Sequence, residues 1–108
     1  MMTSQTLQIM VSIDDRQQAE KLIKALLEQH LIACGQCLPK MTSYYRWQGE
    51  VCGDDEYLLL LKTRKHHYQA VEQLIKTHHP YDVPEIIAMD IVAGHEDYLN
   101  WIKDETCD

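Results

Sequence analysis

The sequence predicts an α+β chain in the split βαβ, or ferredoxin-like, order: strand, helix, strand, strand, helix, strand, then a terminal helix, with one antiparallel sheet carrying two helices on one face. Three observations predict it. Residues 7–13 alternate apolar with polar; segments near 15–30 and 65–78 repeat apolar residues every three or four positions; and the stretch between them holds two strands and a tight turn. At 108 residues the chain fits one domain, 1–108.

Leu7, Ile9, Val11 and Ile13 mark the buried face of the first strand. Asp14 and Asp15 are candidate N-caps for a helix from about 15 to 30, in which Ala19, Leu22, Ile23, Leu26 and Leu27 recur at helical spacing. Leu31 to Leu38 reads as a second strand, stopped by Pro39 and resuming after a kink as Thr42 to Gln48. Gln48-Gly49-Glu50 turns the chain back into a strand from Val51 to Thr63. Gly53-Asp54-Asp55 suggests a bulge there, and Glu56 to Thr63 reads as a fully buried central strand. A second helix, about 65–78, carries Tyr68, Val71, Leu74, Ile75 and His78 on one face; Pro80 and Pro84 end it. Glu85 to Val92 is a strand, Ala93-Gly94 a turn, and His95 to Lys103 a helix whose Tyr98, Trp101 and Ile102 pack back.

Thirteen residues of returning strand extend roughly 44 Å, whereas ordinary strands run about 17–20 Å. The overhanging edges, carrying Tyr44, Tyr45 and Trp47, predict a homo-oligomer. The alternative, a hairpin shortened by the bulge and folded back onto its own sheet, needs no second chain.

Seventeen acidic against ten basic residues give a net charge of −7, with the basic residues scattered, so nucleic acid is not an expected partner. The apolar run Leu58 to Leu61 is far shorter than the roughly 20 residues of a membrane span. The N-terminus has no export pattern, which predicts a cytoplasmic location and reduced thiols at Cys34, Cys37, Cys52 and Cys107.

Cys34-Gly-Gln-Cys37 has the C-x-x-C spacing of redox dithiols and half zinc sites, but on a strand residues i and i+3 point to opposite faces. Buried small side chains are the better reading. His78-His-Pro-Tyr-Asp-Val-Pro-Glu85 is the densest cluster of potential ligands, and imidazole suits copper, zinc and nickel. Adjacent helical residues diverge by about 100°, which predicts His78 toward the core and His79 outward. His66-His67 reads as a solvated first turn; His30 and His95 receive no role. Four glycines, all far apart, offer no phosphate cradle.

Leu31-Ile-Ala-Cys34 before Pro39, Thr42-Ser-Tyr-Tyr-Arg-Trp-Gln-Gly49, Leu59-Leu-Leu-Lys-Thr63, His78-His-Pro-Tyr-Asp-Val-Pro-Glu-Ile-Ile87, and Asp97-Tyr-Leu99 with Trp101 together resemble the CutA divalent-cation tolerance proteins. The resemblance spans about residues 8 to 103. It implies a homotrimer clasped through long hairpins, similar in shape to the PII signalling proteins, and a non-enzymatic role in tolerance to copper or another divalent cation such as zinc. His78 and His79 match the family's copper-binding histidines. The family's ligating cysteine falls at Val11, which cannot ligate, leaving an imidazole and oxygen site better suited to Cu(II), zinc or nickel.

The alternative function is a PII-like signalling module holding a small anion or metabolite in the inter-subunit clefts, lined by Tyr45, Trp47, Lys62, His79 and Glu85. An enzyme using Glu85 and Lys62 in the same cleft is a further rival, for which the sequence offers no recognisable reaction.

Overall fold

A computed structural model describes residues 5–107; residues 1–4, part of the basis for the localisation reading, lie outside the described residues. The elements are β1 (Thr6–Ile13), α1 (Arg16–Glu28), β2 (Cys34–Cys37), β3 (Met41–Trp47), β4 (Glu50–Arg64), a 3-10 turn (Lys65–His67), α2 (Tyr68–His78), β5 (Ile86–Asp90) and α3 (Glu96–Glu105). All pairings are antiparallel in the order β2-β4-β1-β5, with β3 also on β4, which is the expected ferredoxin-like arrangement.

Local chemistry explains the boundaries. Asp15 caps α1 by accepting from the Gln17 and Gln18 N–H groups at 2.8 and 3.3 Å. Its far end closes in a Schellman pattern, His30 N–H to Leu27 O and Leu31 N–H to Leu26 O, with His30 in the left-handed region at φ 56°. So His30 has a role that sequence spacing missed. Its carbonyl accepts from Cys107 N–H and its Nδ1 meets Glu105 O, tying the chain end after α3 to the end of α1. The second helix is preceded by a 3-10 turn in which Lys65 N–H bonds Gln5 O, outside the helix ladder, and no acidic side chain stands in the first turn. His67 is buried and its Nε2 bonds Cys107 O, which corrects the reading of His66-His67 as solvated; His66 alone is exposed.

The main core lies between the sheet and helices α1 and α2, built from Ile9, Val11, Ile13, Leu22, Leu26, Ile32, Leu59, Leu61, Val71 and Ile75. Gly35 on β2 permits this packing: a Cβ there would stand 2.6 Å from Ile23 Cγ2. The register puts Cys34 and Cys37 opposite Lys62 and Leu59, hence on opposite faces, and both are free thiols.

Two expectations for β4 are corrected. Its middle is not buried on both faces: Leu59, Leu61 and Thr63 are buried, whereas Leu58, Leu60 and Lys62 are half-buried, because α1 and α2 cover only one side. No bulge interrupts it at Gly53 either; pairing runs unbroken from Met41↔Glu56 to Trp47↔Glu50. Gly53 instead makes room for the Tyr44 ring, whose Cδ1 and Cε1 would lie 3.2 Å from a Cβ. The extra residue sits on the other side. Between Cys37↔Leu59 and Met41↔Glu56 that strand advances one residue more than β4, at the segment holding Pro39.

The tip turns on Gln48 and Gly49, both at positive φ (50° and 83°), a type I′ geometry matched to strand twist. β4 therefore runs 15 residues, and the longest dimension is 44 Å. No helix among the described residues is long and apolar enough to cross a membrane.

Candidate functional site

Three segments distant in sequence meet beside the hairpin. Ser12 and Asp14 come from the end of β1, residues 43–56 from the arm, and Tyr81 to Glu85 from the loop that Pro80 and Pro84 stiffen between α2 and β5. They line a cleft of about 880 Å³. Its walls carry six carboxylates (Asp14, Asp54, Asp55, Glu56, Asp82, Glu85) and four aromatic rings (Tyr44, Tyr45, Trp47, Tyr81), with no lysine or arginine among the described lining residues; Lys40 reaches Asp55 from outside at 3.8 Å.

A chain of hydrogen bonds runs along its floor. Tyr81 OH donates to Glu56 Oε2 at 2.7 Å, and Tyr81 N–H donates to His79 Nδ1 at 3.1 Å. Because a backbone N–H only donates, the imidazole proton belongs on Nε2, which donates to Ser12 O at 2.8 Å. Ser12 Oγ in turn donates to Glu85 Oε1 at 3.4 Å, and the His79 and Tyr81 rings meet edge-on at 4.7 Å. Burial, then the bond to Glu56, pushes the Tyr81 phenol well above its ordinary pKa. Tyr45 OH donates to Asp54 Oδ2, and that bond is the main reason its phenol is pushed up to about 12.

The two histidines expected to share a metal do not share a surface in the chain. His79 is buried and His78 exposed, the reverse of the expectation from helical spacing. The 100° rule holds within a helix, and His79 is the C-cap of α2 at φ −81°, ψ 136°, so the chain has already left helical geometry. His78 instead rims a separate groove with Ile13, Gln18, Lys21, Leu22 and Ala25. Both ring nitrogens of His79 are engaged, and no three His, Cys, Asp or Glu side chains among the described residues converge as metal ligands.

Tyr45, Trp47 and Glu85 line this cleft of the single chain and Lys62 and His79 do not; the sequence expectation concerned clefts between subunits. Lys62 pairs with Gln8 on β1, whereas Ser12 at the cleft pairs with Leu58, about 14 Å further along the sheet at strand rise. Its Nζ donates to Gln36 Oε1 at 2.6 Å. Val11 is fully buried in the main core, so that position faces the helices. Glu56, which the sequence offered beside Lys62, Arg64 and Glu85, and Tyr81, the phenol of the His78–Glu85 cluster, are both here; what sequence reasoning missed is that they bond each other. A signal was present, since Glu56 breaks the apolar character of its strand just where alternation demands a partner.

Comparison with known proteins places this geometry. Residues 7–105 match the family model of the CutA1 divalent ion tolerance protein. A divalent-cation tolerance protein CutA from Thermus thermophilus is 42% identical over 98 residues, covering 91% of this chain and 95% of that protein. Among solved structures, a stable CutA1 from the psychrotrophic bacterium Shewanella sp. SIB1 superposes with a TM-score of 0.95 at 36% identity, covering 99% of this chain and all of the other. CutA from Xylella fastidiosa gives 0.93 at 36% identity, covering 96% of this chain and all of the other. The chain belongs to the CutA1 divalent ion tolerance family.

Proposed function

We propose that this family member works as a cytoplasmic homotrimer whose acidic clefts collect divalent cations, in the cell's tolerance of metal ions. The observation that carries the reading is the cleft itself: six carboxylates, of which Asp55 is paired with Lys40 at 3.8 Å, and no lysine or arginine among the described residues that line it. Such a surface focuses a negative field and raises the local concentration of cations. Three copies would add three times the −7 charge of one.

Two features support assembly. Among the described residues nothing pairs with the β4 edge opposite β3 from Glu50 to Glu56, which leaves a template for another strand. The sheet face away from α1 and α2 presents Met10, Leu58, Leu60, Ile87 and Met89, with Ile87 and Met89 45% and 55% exposed. Apolar side chains gathered on an open sheet face mark an interaction surface.

Copper or zinc at His78 and His79 would require His79 to surrender one of its two hydrogen bonds and both rings to turn to a common point. First capture therefore belongs to the carboxylates, whose oxygens suit hard divalent ions. An anionic metabolite, the ligand of a PII-like module, would meet the same six carboxylates.

Equilibrium dialysis with magnesium, manganese, copper and zinc, on wild type, Asp54→Asn/Glu85→Gln and His78→Ala/His79→Ala, tests the reading. The carboxylate variant should lose most cation uptake, and field-driven uptake should fall steeply between about 0.01 and 1 M salt. Uptake lost only in the histidine variant would move the site to the imidazoles. Light scattering that reports a single-chain particle at micromolar concentration would remove the trimer.

A further inference from the structure

The two faces of the sheet are covered by different means. Leu59, Leu61 and Thr63 are buried under α1 and α2, so Lys62 and Arg64 point to the opposite face, and there α3 packs against β4 and β1. We infer that α3 is a hinged cover on that end of the open face, held shut by a latch at Thr106 and Cys107. The device is independent of what the cleft collects.

Taken alone, α3 has little to keep it in place. It runs 10 residues, shorter than the roughly 12–15 below which an isolated helix is marginal in water, and no side chain caps its start at His95. Glu96, Asp97 and Lys103 suit the helix dipole, but at exposed positions that help is screened. Only Ile102 is buried, and it lies outside the main core, whereas α1 buries Ala19, Leu22, Ile23 and Leu26. Residues 92–95, which join β5 to α3, are exposed throughout and can bend without disturbing that core.

The latch is dense by comparison. Arg64, 8% exposed, donates from Nε to Thr106 Oγ1 at 3.0 Å and from Nη2 to Thr106 O at 3.1 Å and Cys107 O at 2.6 Å. His67 Nε2 donates to the same Cys107 oxygen, and Cys107 N–H donates to His30 O at 2.9 Å. Thr106 Oγ1 donates in turn to Ile102 O at 3.0 Å, which joins the latch to the one buried turn of α3. Two residues of chain thus tie α3 to the ends of β4 and α1 and to the entry of α2.

Hydrogen bonds from a guanidinium are roughly twice as strong as neutral ones, and these are shielded from water. Closure of α3 therefore rests on the latch more than on its own packing. Its opening is local, because the main core lies on the other side of the sheet. Lifting the cover bares Ile102 and the surface of β1 and β4 beneath it, next to the apolar pair Met10 and Leu60.

Hydrogen exchange of backbone amides, read by mass spectrometry on the intact protein, tests the cover. In the wild type, amides 99–105 should exchange at least about tenfold faster than amides 22–28 of α1. Arg64→Met keeps an apolar stem and removes the donors; Thr106→Ala removes one hydroxyl and leaves the chain foldable. The α3 amides should exchange at least about tenfold faster than wild type in Arg64→Met and about threefold faster in Thr106→Ala, while those of α1 keep their rates. Amides of α3 and α1 exchanging together in the wild type overturn the hinged cover, since α3 would then open only with the whole fold. Rates of α3 unchanged in the folded variants, or α1 rates raised equally, overturn the latch. Should Arg64→Met fail to fold, the wild type and Thr106→Ala decide both points.

Discussion

From Leu59 to Lys62, β4 is hydrogen-bonded on both edges, to β1 and β2, and Leu59 and Leu61 have no exposed surface. From Glu50 to Glu56 the same strand is bonded, among the described residues, to β3 alone, and Val51 is 67% exposed. The strand conformation continues from one half to the other; burial and the number of paired edges change. Strand pairing by itself therefore builds the arm, but apolar burial anchors it, and the arm is free to carry carboxylates and phenols because no core depends on it.

The largest expected effect separates the halves. Leu61→Ala should cost about 2–5 kcal/mol in denaturant unfolding, the usual loss for a buried leucine, while Val51→Ala should stay within about 0.5 kcal/mol at low protein concentration. Equal losses would break the comparison. A Val51→Ala loss that grows with protein concentration would sharpen it, by showing that another chain covers the arm.

Next comes Gly35→Ala at the anchored end. The added methyl would sit 2.6 Å from the branched, stiff Ile23, so overpacking should cost about 1–3 kcal/mol and lower the Tm. Gly53→Ala on the arm meets only the exposed Tyr44 ring at 3.2 Å and should cost less than Gly35→Ala.

The arm answers to alkali rather than to packing. Tyr45 is held protonated by Asp54, with its pKa pushed up from 10.0 to about 12. A phenol whose folded value lies above its unfolded value stabilises the fold below about pH 10 and loses that contribution as pH rises through 12. Absorbance titration near 295 nm should lose one late-ionising phenol in Tyr45→Phe while the Tyr81 phenol, also pushed up, remains; a curve unchanged in that variant would overturn the assignment to Tyr45. The smallest effect is at the tip, where Gln48→Asn should add a few tenths of a kcal/mol, since asparagine accepts the positive φ of a type I′ turn more readily.

Much of this was legible before the structure. Alternation at Leu7 to Ile13 and the helical spacing of Ala19 to Leu27 report burial directly, because each side chain's direction follows from local backbone geometry. Tyr45, Trp47 and Glu85 could be singled out, for a cleft between subunits, because exposed aromatics on a strand edge and a carboxylate after a proline turn are local signals. Gly53 misled: a glycine among aspartates looks like a bulge, and only the cross-strand ring of Tyr44 explains it.

The sequence alone determined the element order, the buried stripes and the family resemblance, all products of short-range periodicity and local motif. Tertiary structure decided which way His79 faces, where the register slips and that Glu56 meets Tyr81 across 25 positions. Those outcomes depend on how far each strand advances before the next begins, and one residue more or less moves a side chain to the other face of a sheet.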